Sequence, residues 1–152
     1  MAILTRVFDA SAIVKALVAP RRKKEDEILR EQARLHQIAR TELGRVESKE
    51  IGMLVPSLAL IEAGAIVRRL TGSPQEARLA IRFVRNHSQG IIFDEDLQET
   101  AEELAVTTGC RAADSVYLAA ARHTGAELLT DDRRMHELAL QENIPSLLLR
   151  DL

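Results

Sequence analysis

The sequence is poor in several features that mark specialised classes of protein. It has one cysteine, Cys110, so neither an internal disulfide nor a cysteine-rich metal site can form. Tryptophan is absent and aromatic residues make up only 3% of the chain, so aliphatic side chains must fill the core. The net charge of -2 gives no overall attraction for nucleic acid, which leaves such binding to local basic patches.

Long apolar segments are also missing. The N-terminal sequence MAILTRVFDAS reaches Asp9 before an apolar stretch of signal-peptide length can form. No run approaches the roughly 20 apolar residues that a membrane-spanning helix needs. We therefore expect a cytoplasmic protein.

What the sequence does have is an alternation of strand and helix patterns. Continuous apolar runs, typical of strands buried on both faces, occur at residues 3–8, 53–55, 90–93, 127–129 and 146–149. Helical patterns cover residues 57–70, 74–87, 96–107, 113–123 and 132–141, the third of them with Asp96 as its N-cap. This order predicts one domain over residues 1–152, a three-layer α/β fold with a central parallel sheet of about five strands.

Residues 20–50 form an additional charged segment that begins with RRKKEDE. Ile28, Leu35, Ala39 and Val46 lie roughly along one stripe, which predicts an amphipathic helix on the sheet or on a partner protein. The alternative is an arm, led by residues 21–24, that contacts substrate or a partner.

Carboxylates occur where the predicted strands end. Asp9 follows the first strand, and Asp131 and Asp132 follow the fourth. Ligands of open parallel sheets bind beyond the carboxyl ends of the strands, so these acids should meet at one edge. Glu62 and Asp114 lie in the otherwise apolar helical sequences PSLALIEAGAIV and CRAADSVYLAAA, where an uncompensated acid is costly.

Convergent acids need a cation, because two carboxylates about 5 Å apart repel by about 3 kcal/mol at an effective dielectric of 20. Oxygen ligands alone select hard ions such as Mg²⁺ or Mn²⁺, which can activate water and neutralise a leaving oxygen. The candidate catalytic and metal-binding residues are therefore Asp9, Glu62, Asp114 and one or both of Asp131 and Asp132. Taken singly, each acid could equally be a helix cap or an exposed residue.

Four segments, VFDASAIV, PSLALIEAGAIV, CRAADSVYLAAA and ELLTDDRR, resemble in this order the acidic motifs of PIN domains, and the layout is most similar to VapC-type toxin ribonucleases. By this resemblance Asp9, Glu62 and Asp114 match three shared acids. The fourth motif points to Asp132, with Asp131 as an alternative ligand or a cap of the following helix. Ser11 and Thr130 match positions that line the site. The resemblance implies Mg²⁺- or Mn²⁺-dependent hydrolysis of RNA, homodimerisation and inhibition by a small antitoxin protein.

Basic residues near the acids are candidates for holding phosphates. Arg133 and Arg134 directly follow Asp132, which makes them the preferred candidates for RNA binding. Three alternatives stay open at this point. They are an RNA-processing PIN nuclease outside a toxin system, a phosphoacceptor signalling domain that also gathers acids at strand ends, and a catalytically inactive interaction module.

Overall fold

The computed structural model describes residues 2–152 and contains a five-stranded parallel sheet at its centre. The strands are β1 (Leu4–Phe8), β2 (Ile51–Pro56), β3 (Ser88–Ile92), β4 (Glu127–Thr130) and β5 (Ser146–Leu148). Their order across the sheet is β3-β2-β1-β4-β5. Val7 in the central strand is paired with Leu54 on one side and with Leu128 on the other. The predicted parallel sheet is confirmed.

Helices fill both faces of this sheet. They are α1 (Ala10–Leu17), α2 (Glu27–Glu47), α3 (Leu58–Thr71), α4 (Pro74–His87), α5 (Asp94–Thr108), α6 (Ala112–Thr124) and α7 (Arg133–Gln141), and a 3-10 turn, Leu149–Asp151, follows β5. Right-handed crossovers place α1 to α4 on one face and α5 to α7 on the other. In agreement, α1 packs against α2 and α3, whereas α5 packs against α6. The three-layer α/β/α architecture is therefore confirmed.

One helix was not predicted from the sequence, and a second begins two residues earlier than predicted. Helix α1 was not predicted, because its sequence ASAIVKAL continues the apolar run of β1 without a visible change of period. Helix α5 begins at Asp94, and Phe93 rather than Asp96 occupies the N-cap position. Asp96 lies inside the first turn, where a negative charge interacts favourably with the helix dipole.

The charged segment at residues 20–50 contains α2, which packs against α1 and β2. Leu35, Ala39 and Val46 are buried as the stripe predicted, but Ile28 is exposed. The buried face also carries Glu42, whose Oε2 lies 2.6 Å from Nη1 of Arg6 in β1. This helix is therefore part of the packed domain, as the amphipathic-helix interpretation predicted.

The core is mainly aliphatic, with Phe8 and Tyr117 among its largest fully buried side chains. Cys110 is a half-buried free thiol at the edge of this core. Of the helices within residues 2–152, none is both long and apolar enough to cross a membrane.

Candidate active site

The sheet order places the end of β1 at a topological switch point, where ligands of open α/β sheets bind. From β1 the chain continues to β2 on one side, and β4 later inserts on the other. A cleft of about 310 Å³ lies at this point. It is lined by Asp9, Ser11, Lys15, Glu62, Ile66, Arg111, Asp114, Tyr117, Asp131, Asp132 and Met135. A larger groove of about 530 Å³ beside α3 and α4 contains a single acid, Glu76, so the acidic cleft is the better candidate for metal chemistry.

Asp9 is fixed at the centre of this cleft by two hydroxyl groups. It is buried and is the N-cap of α1, with its Oδ1 accepting a hydrogen bond of 3.3 Å from the Ser11 amide. Its Oδ2 accepts hydrogen bonds of 2.8 Å from both Ser11 Oγ and Thr130 Oγ1. Thr130 Oγ1 in turn accepts a hydrogen bond of 3.0 Å from the Asp132 amide. Thr130 therefore links the acid after β1 to the acid after β4.

Burial makes the charge on Asp9 costly. Desolvation raises the pKa of Asp9 above its ordinary value, the hydrogen bonds from Thr130 and Ser11 oppose this shift, and the nearby charge of Asp114 adds to it. A neighbouring cation would favour the ionised form.

Glu62 contributes an oxygen atom without a partner. Its Oε1 is buried and accepts no hydrogen bond from any group of residues 2–152. Burial raises the pKa of Glu62, the nearby Tyr117 hydroxyl lowers it by less, and Asp9 and Asp114 raise it further. An unsatisfied buried carboxylate oxygen is unfavourable, so this atom is suited to a cation, a water molecule or a proton.

Tyr117 keeps its proton beside these acids. Burial is the main cause of its raised pKa, and the charges of Asp9 and Glu62 raise it further. The Tyr117 hydroxyl oxygen accepts a hydrogen bond of 3.3 Å from the Ala10 amide, which links α6 to the first turn of α1. Tyr117 therefore joins the two helical layers across the cleft as a neutral group.

Asp114 and Asp132 share one cation, the guanidinium of Arg111. Arg111 Nε lies 3.0 Å from Asp114 Oδ2, and Arg111 Nη2 lies 3.2 Å from Asp132 Oδ2. Asp114 is buried, whereas the side chain of Arg111 is 75% exposed. The remaining oxygen of Asp132, Oδ1, caps α7 by accepting the amide of Met135 at 3.1 Å. One exposed guanidinium group therefore bridges the carboxylates of Asp114 and Asp132.

Asp131 has different partners from those of its neighbour. It is buried, and its Oδ2 lies 3.0 Å from both Lys15 Nζ and Arg150 Nη2. Arg150 Nε also donates to Asp131 Oδ1 at 3.1 Å. The interpretation of Asp131 as the cap of the following helix is wrong, because Asp132 occupies that position and makes the capping hydrogen bond.

Within residues 2–152, no three acidic, histidine or cysteine side chains converge closely enough to hold a metal ion in the observed arrangement. The contacts explain this, since Arg111 holds Asp114 and Asp132, and hydroxyl groups hold Asp9. The donor chemistry nevertheless fits a hard cation, because the cleft supplies carboxylate oxygens and one of them, Glu62 Oε1, has no partner. Asp9, Glu62, Asp114 and Asp132 are the residues that would hold Mg²⁺ or Mn²⁺.

Sequence reasoning anticipated the acids and the serine that line the cleft but none of its three other polar side chains. The four predicted acids, Asp131, Ser11 and Thr130 all lie at this edge of the sheet. Arg133 and Arg134 are exposed at the start of α7 and do not line the cleft. Lys15, Arg111 and Tyr117 do line it but were not predicted. The one available signal was spacing, since Arg111 and Tyr117 lie three residues before and after Asp114, on one helical face.

Comparison with known structures finds the same fold in several solved proteins. The chain is similar to FitAcB from Neisseria gonorrhoeae, with 15% identity, a TM-score of 0.64, and coverage of 97% of this chain and 99% of that one. It is similar to VapBC2 from Rickettsia felis, with 13% identity, a TM-score of 0.62 and coverage of 95% and 98%. It is also similar to VapC20 from Mycobacterium tuberculosis, with 19% identity, a TM-score of 0.58, and coverage of 81% of this chain and 86% of that one.

At the level of sequence, no curated protein matches the chain. A model of the PIN domain does match it, over residues 6–140. That range runs from β1 to the last turn of α7 and includes all four acids of the cleft. Because the match covers most of the chain, this protein belongs to the PIN domain family.

Proposed function

We propose that this protein is a divalent-metal-dependent endoribonuclease and the toxin of a toxin–antitoxin pair. The observation that carries the proposal is the meeting of Asp9, Glu62, Asp114 and Asp132 in one cleft at the switch point of the sheet. These acids come from four separate segments of the chain, so local structure alone does not account for their meeting. Membership of the PIN family is in keeping with nuclease chemistry.

The proposed chemistry assigns different tasks to the residues of the cleft. Mg²⁺ or Mn²⁺ bound by the acids would supply activation of water and neutralisation of charge on the leaving oxygen. Ser11 and Thr130 hold Asp9 in one orientation through hydrogen bonds to its Oδ2. Tyr117, which stays protonated, holds the first turn of α1 against α6. Glu62 Oε1 is free to accept a proton or a hydrogen bond from the attacking water.

RNA as substrate and an antitoxin as partner are proposed from the related structures. The similar protein VapC20 is described as a toxin that cleaves the sarcin–ricin loop. FitAB and VapBC2 were both determined bound to DNA, the latter to a fragment of the promoter of its own pair. By analogy, we propose a small antitoxin protein as partner of this chain, and a homodimer as its assembly.

Arg133 and Arg134 are proposed to contact RNA outside the cleft. Both are exposed and directly follow Asp132, so phosphates on either side of a cleaved bond could reach them. Replacing both with alanine should weaken RNA binding. It should also make the plot of log binding constant against log salt concentration less steep, since each phosphate contact adds to that slope. An unchanged slope would show that the two arginines do not contact RNA.

The proposed activity is tested with purified protein and labelled single-stranded RNA. Cleavage should require Mn²⁺ or Mg²⁺ and stop on addition of EDTA. Asp9→Asn, Glu62→Gln and Asp114→Asn should each lower the rate by orders of magnitude. Glu47→Gln, which removes an exposed acid far along α2, is the matched control and should cleave like the wild type. Robust cleavage by Asp114→Asn, with contaminants excluded, would overturn the assignment.

An RNA-processing nuclease would use the same cleft but would not need an antitoxin. Induced expression in a bacterial host separates these possibilities. The toxin interpretation expects growth arrest by the wild type, no arrest by Asp9→Asn, and rescue by a small protein encoded beside the gene. Cleavage in vitro without any effect on growth would favour the processing role.

A further inference from the structure

Two cations lie in the acidic cleft, Lys15 and Arg111, and they are held in different ways. Lys15 is only 37% exposed and is paired with the buried Asp131, which Arg150 also binds. The side chain of Arg111, the residue directly before α6, is 75% exposed. Lys15 is therefore part of a packed network, whereas Arg111 can leave the cleft without disturbing the core.

The carboxylates that Arg111 holds are two of the four proposed metal ligands. Its planar guanidinium reaches Asp114 through Nε and Asp132 through Nη2, so one group bridges acids from α6 and from the loop after β4. A divalent cation bound to the same oxygens would carry more charge into the same space. A divalent cation bound to Asp114 Oδ2 and Asp132 Oδ2 would therefore compete with the guanidinium for the same two oxygens.

We infer that Arg111 is an intramolecular competitor of the divalent cation, which holds Asp114 and Asp132 together in the metal-free protein and must swing out when the ion binds. This inference rests on the proposed function, because it assigns the same four acids to the metal. It also assigns to Arg111 a direct influence on metal affinity.

The test measures binding of Mn²⁺ to the full chain by calorimetry or by the free-Mn²⁺ electron paramagnetic resonance signal, without reference to cleavage. Arg111→Ala should bind Mn²⁺ more tightly than the wild type by about threefold to tenfold, the range expected for removal of two ion pairs made by a mostly exposed arginine. Arg133→Ala removes an arginine that also lies close to Asp132 in sequence but lies outside the cleft. It should change the affinity by much less.

Chemical rescue distinguishes specific competition from a general loss of positive charge. Added guanidinium ion, at low millimolar to tens of millimolar concentration, should weaken Mn²⁺ binding by Arg111→Ala towards the wild-type value. The same concentration of guanidinium should have little effect on the wild type, whose own guanidinium already fills the position. Urea and sodium chloride at matched concentrations serve as the uncharged and the ionic-strength controls.

Three affinity results would overturn the inference while leaving the metal site in place. They are an unchanged Mn²⁺ affinity in Arg111→Ala, a weaker one, or an equal gain in Arg133→Ala. A weaker affinity would mean that Arg111 positions the two acids for the metal. If neither the wild type nor Arg111→Ala binds Mn²⁺, the metal site of the proposed function fails, and the competition fails with it. If both bind equally well, the competition alone fails.

Discussion

Asp131 and Asp132 are adjacent in the chain, yet their carboxylates are bound by separate sets of partners. Asp131 is held by Lys15 and Arg150, whereas Asp132 caps α7 and faces Arg111. Asp131 therefore anchors the loop after β4, and Asp132 presents its carboxylate to the acid cluster. This difference leads to opposite expectations for two otherwise similar substitutions.

Asp132→Asn should lower RNA cleavage strongly and leave the free energy of unfolding nearly unchanged, because asparagine caps helices about as well as aspartate. Asp131→Asn should keep most of the activity but lose about 1–3 kcal/mol of stability, since two charged hydrogen-bond partners lose their carboxylate. Urea denaturation and RNA cleavage of both variants check this. The reverse ranking of activities would make Asp131 the fourth acid.

The difference in stability between the wild type and Asp9→Asn should depend on pH and reveal the cost of the buried charge. Burial raises the pKa of Asp9, so the folded protein binds this proton more tightly than the unfolded chain does. Wild-type stability in EDTA should therefore rise, relative to Asp9→Asn, as the pH falls through the raised pKa towards the ordinary value of 3.8. At neutral pH, Asp9→Asn should melt no lower than the wild type. A much lower Tm of Asp9→Asn at neutral pH would show that Asp9 is a structural residue.

Metal binding should reverse that ranking. An ion that binds only the folded state stabilises it by about 2.7 kcal/mol at a concentration of 100 times its Kd. Millimolar Mn²⁺ should therefore raise the Tm of the wild type and of the control Glu47→Gln by the same amount, and that of Asp9→Asn by less. Thermal melts in Mn²⁺ and in EDTA measure the difference. Equal shifts in all three proteins would place the bound ion away from Asp9.

Thr130→Val tests the link between the first and the fourth acids. The fully buried Thr130 hydroxyl donates to Asp9 Oδ2 and accepts the Asp132 amide, and valine keeps the shape but loses both hydrogen bonds. Stability should fall by about 1–3 kcal/mol, and the pKa of Asp9 should rise further because a hydrogen bond that lowers it is gone. Thr130→Ser retains the hydroxyl and should restore both properties in denaturation and pH-dependent melts. Failure of serine to do so would point to lost packing of the methyl group.

The parts of the fold that could be predicted are those encoded by local pattern. Continuous apolar runs located all five strands to within a few residues, and the rule for parallel sheets then placed Asp9 and Asp132 at one edge. Helix α1 could not be recognised, because eight mostly apolar residues directly after a strand show no separate period. The exposure of Ile28 likewise depends on where α2 ends its contact with the domain, which periodicity does not encode.

The site was predictable in its acids but not in its basic residues. Carboxylates within apolar sequence are conspicuous because burial makes them costly, which is why Glu62 and Asp114 could be identified. A single basic residue in a short loop has no such signal, so Arg111 looked like any other exposed arginine. The role of Arg150 depends on the β4–β5 pairing, which brings the end of the chain beside Asp131. These contacts exist only after tertiary folding.

The position of β1 between β2 and β4 has a consequence for the order of events during translation. Asp9 leaves the ribosome well before Thr130 and Asp132, which follow a strand that must later insert beside β1. Until that insertion, one flank of β1 is unpaired and the acid cluster is incomplete. A growing chain therefore cannot carry a finished cleft, and any nuclease activity would begin only after β4 has been synthesised and docked.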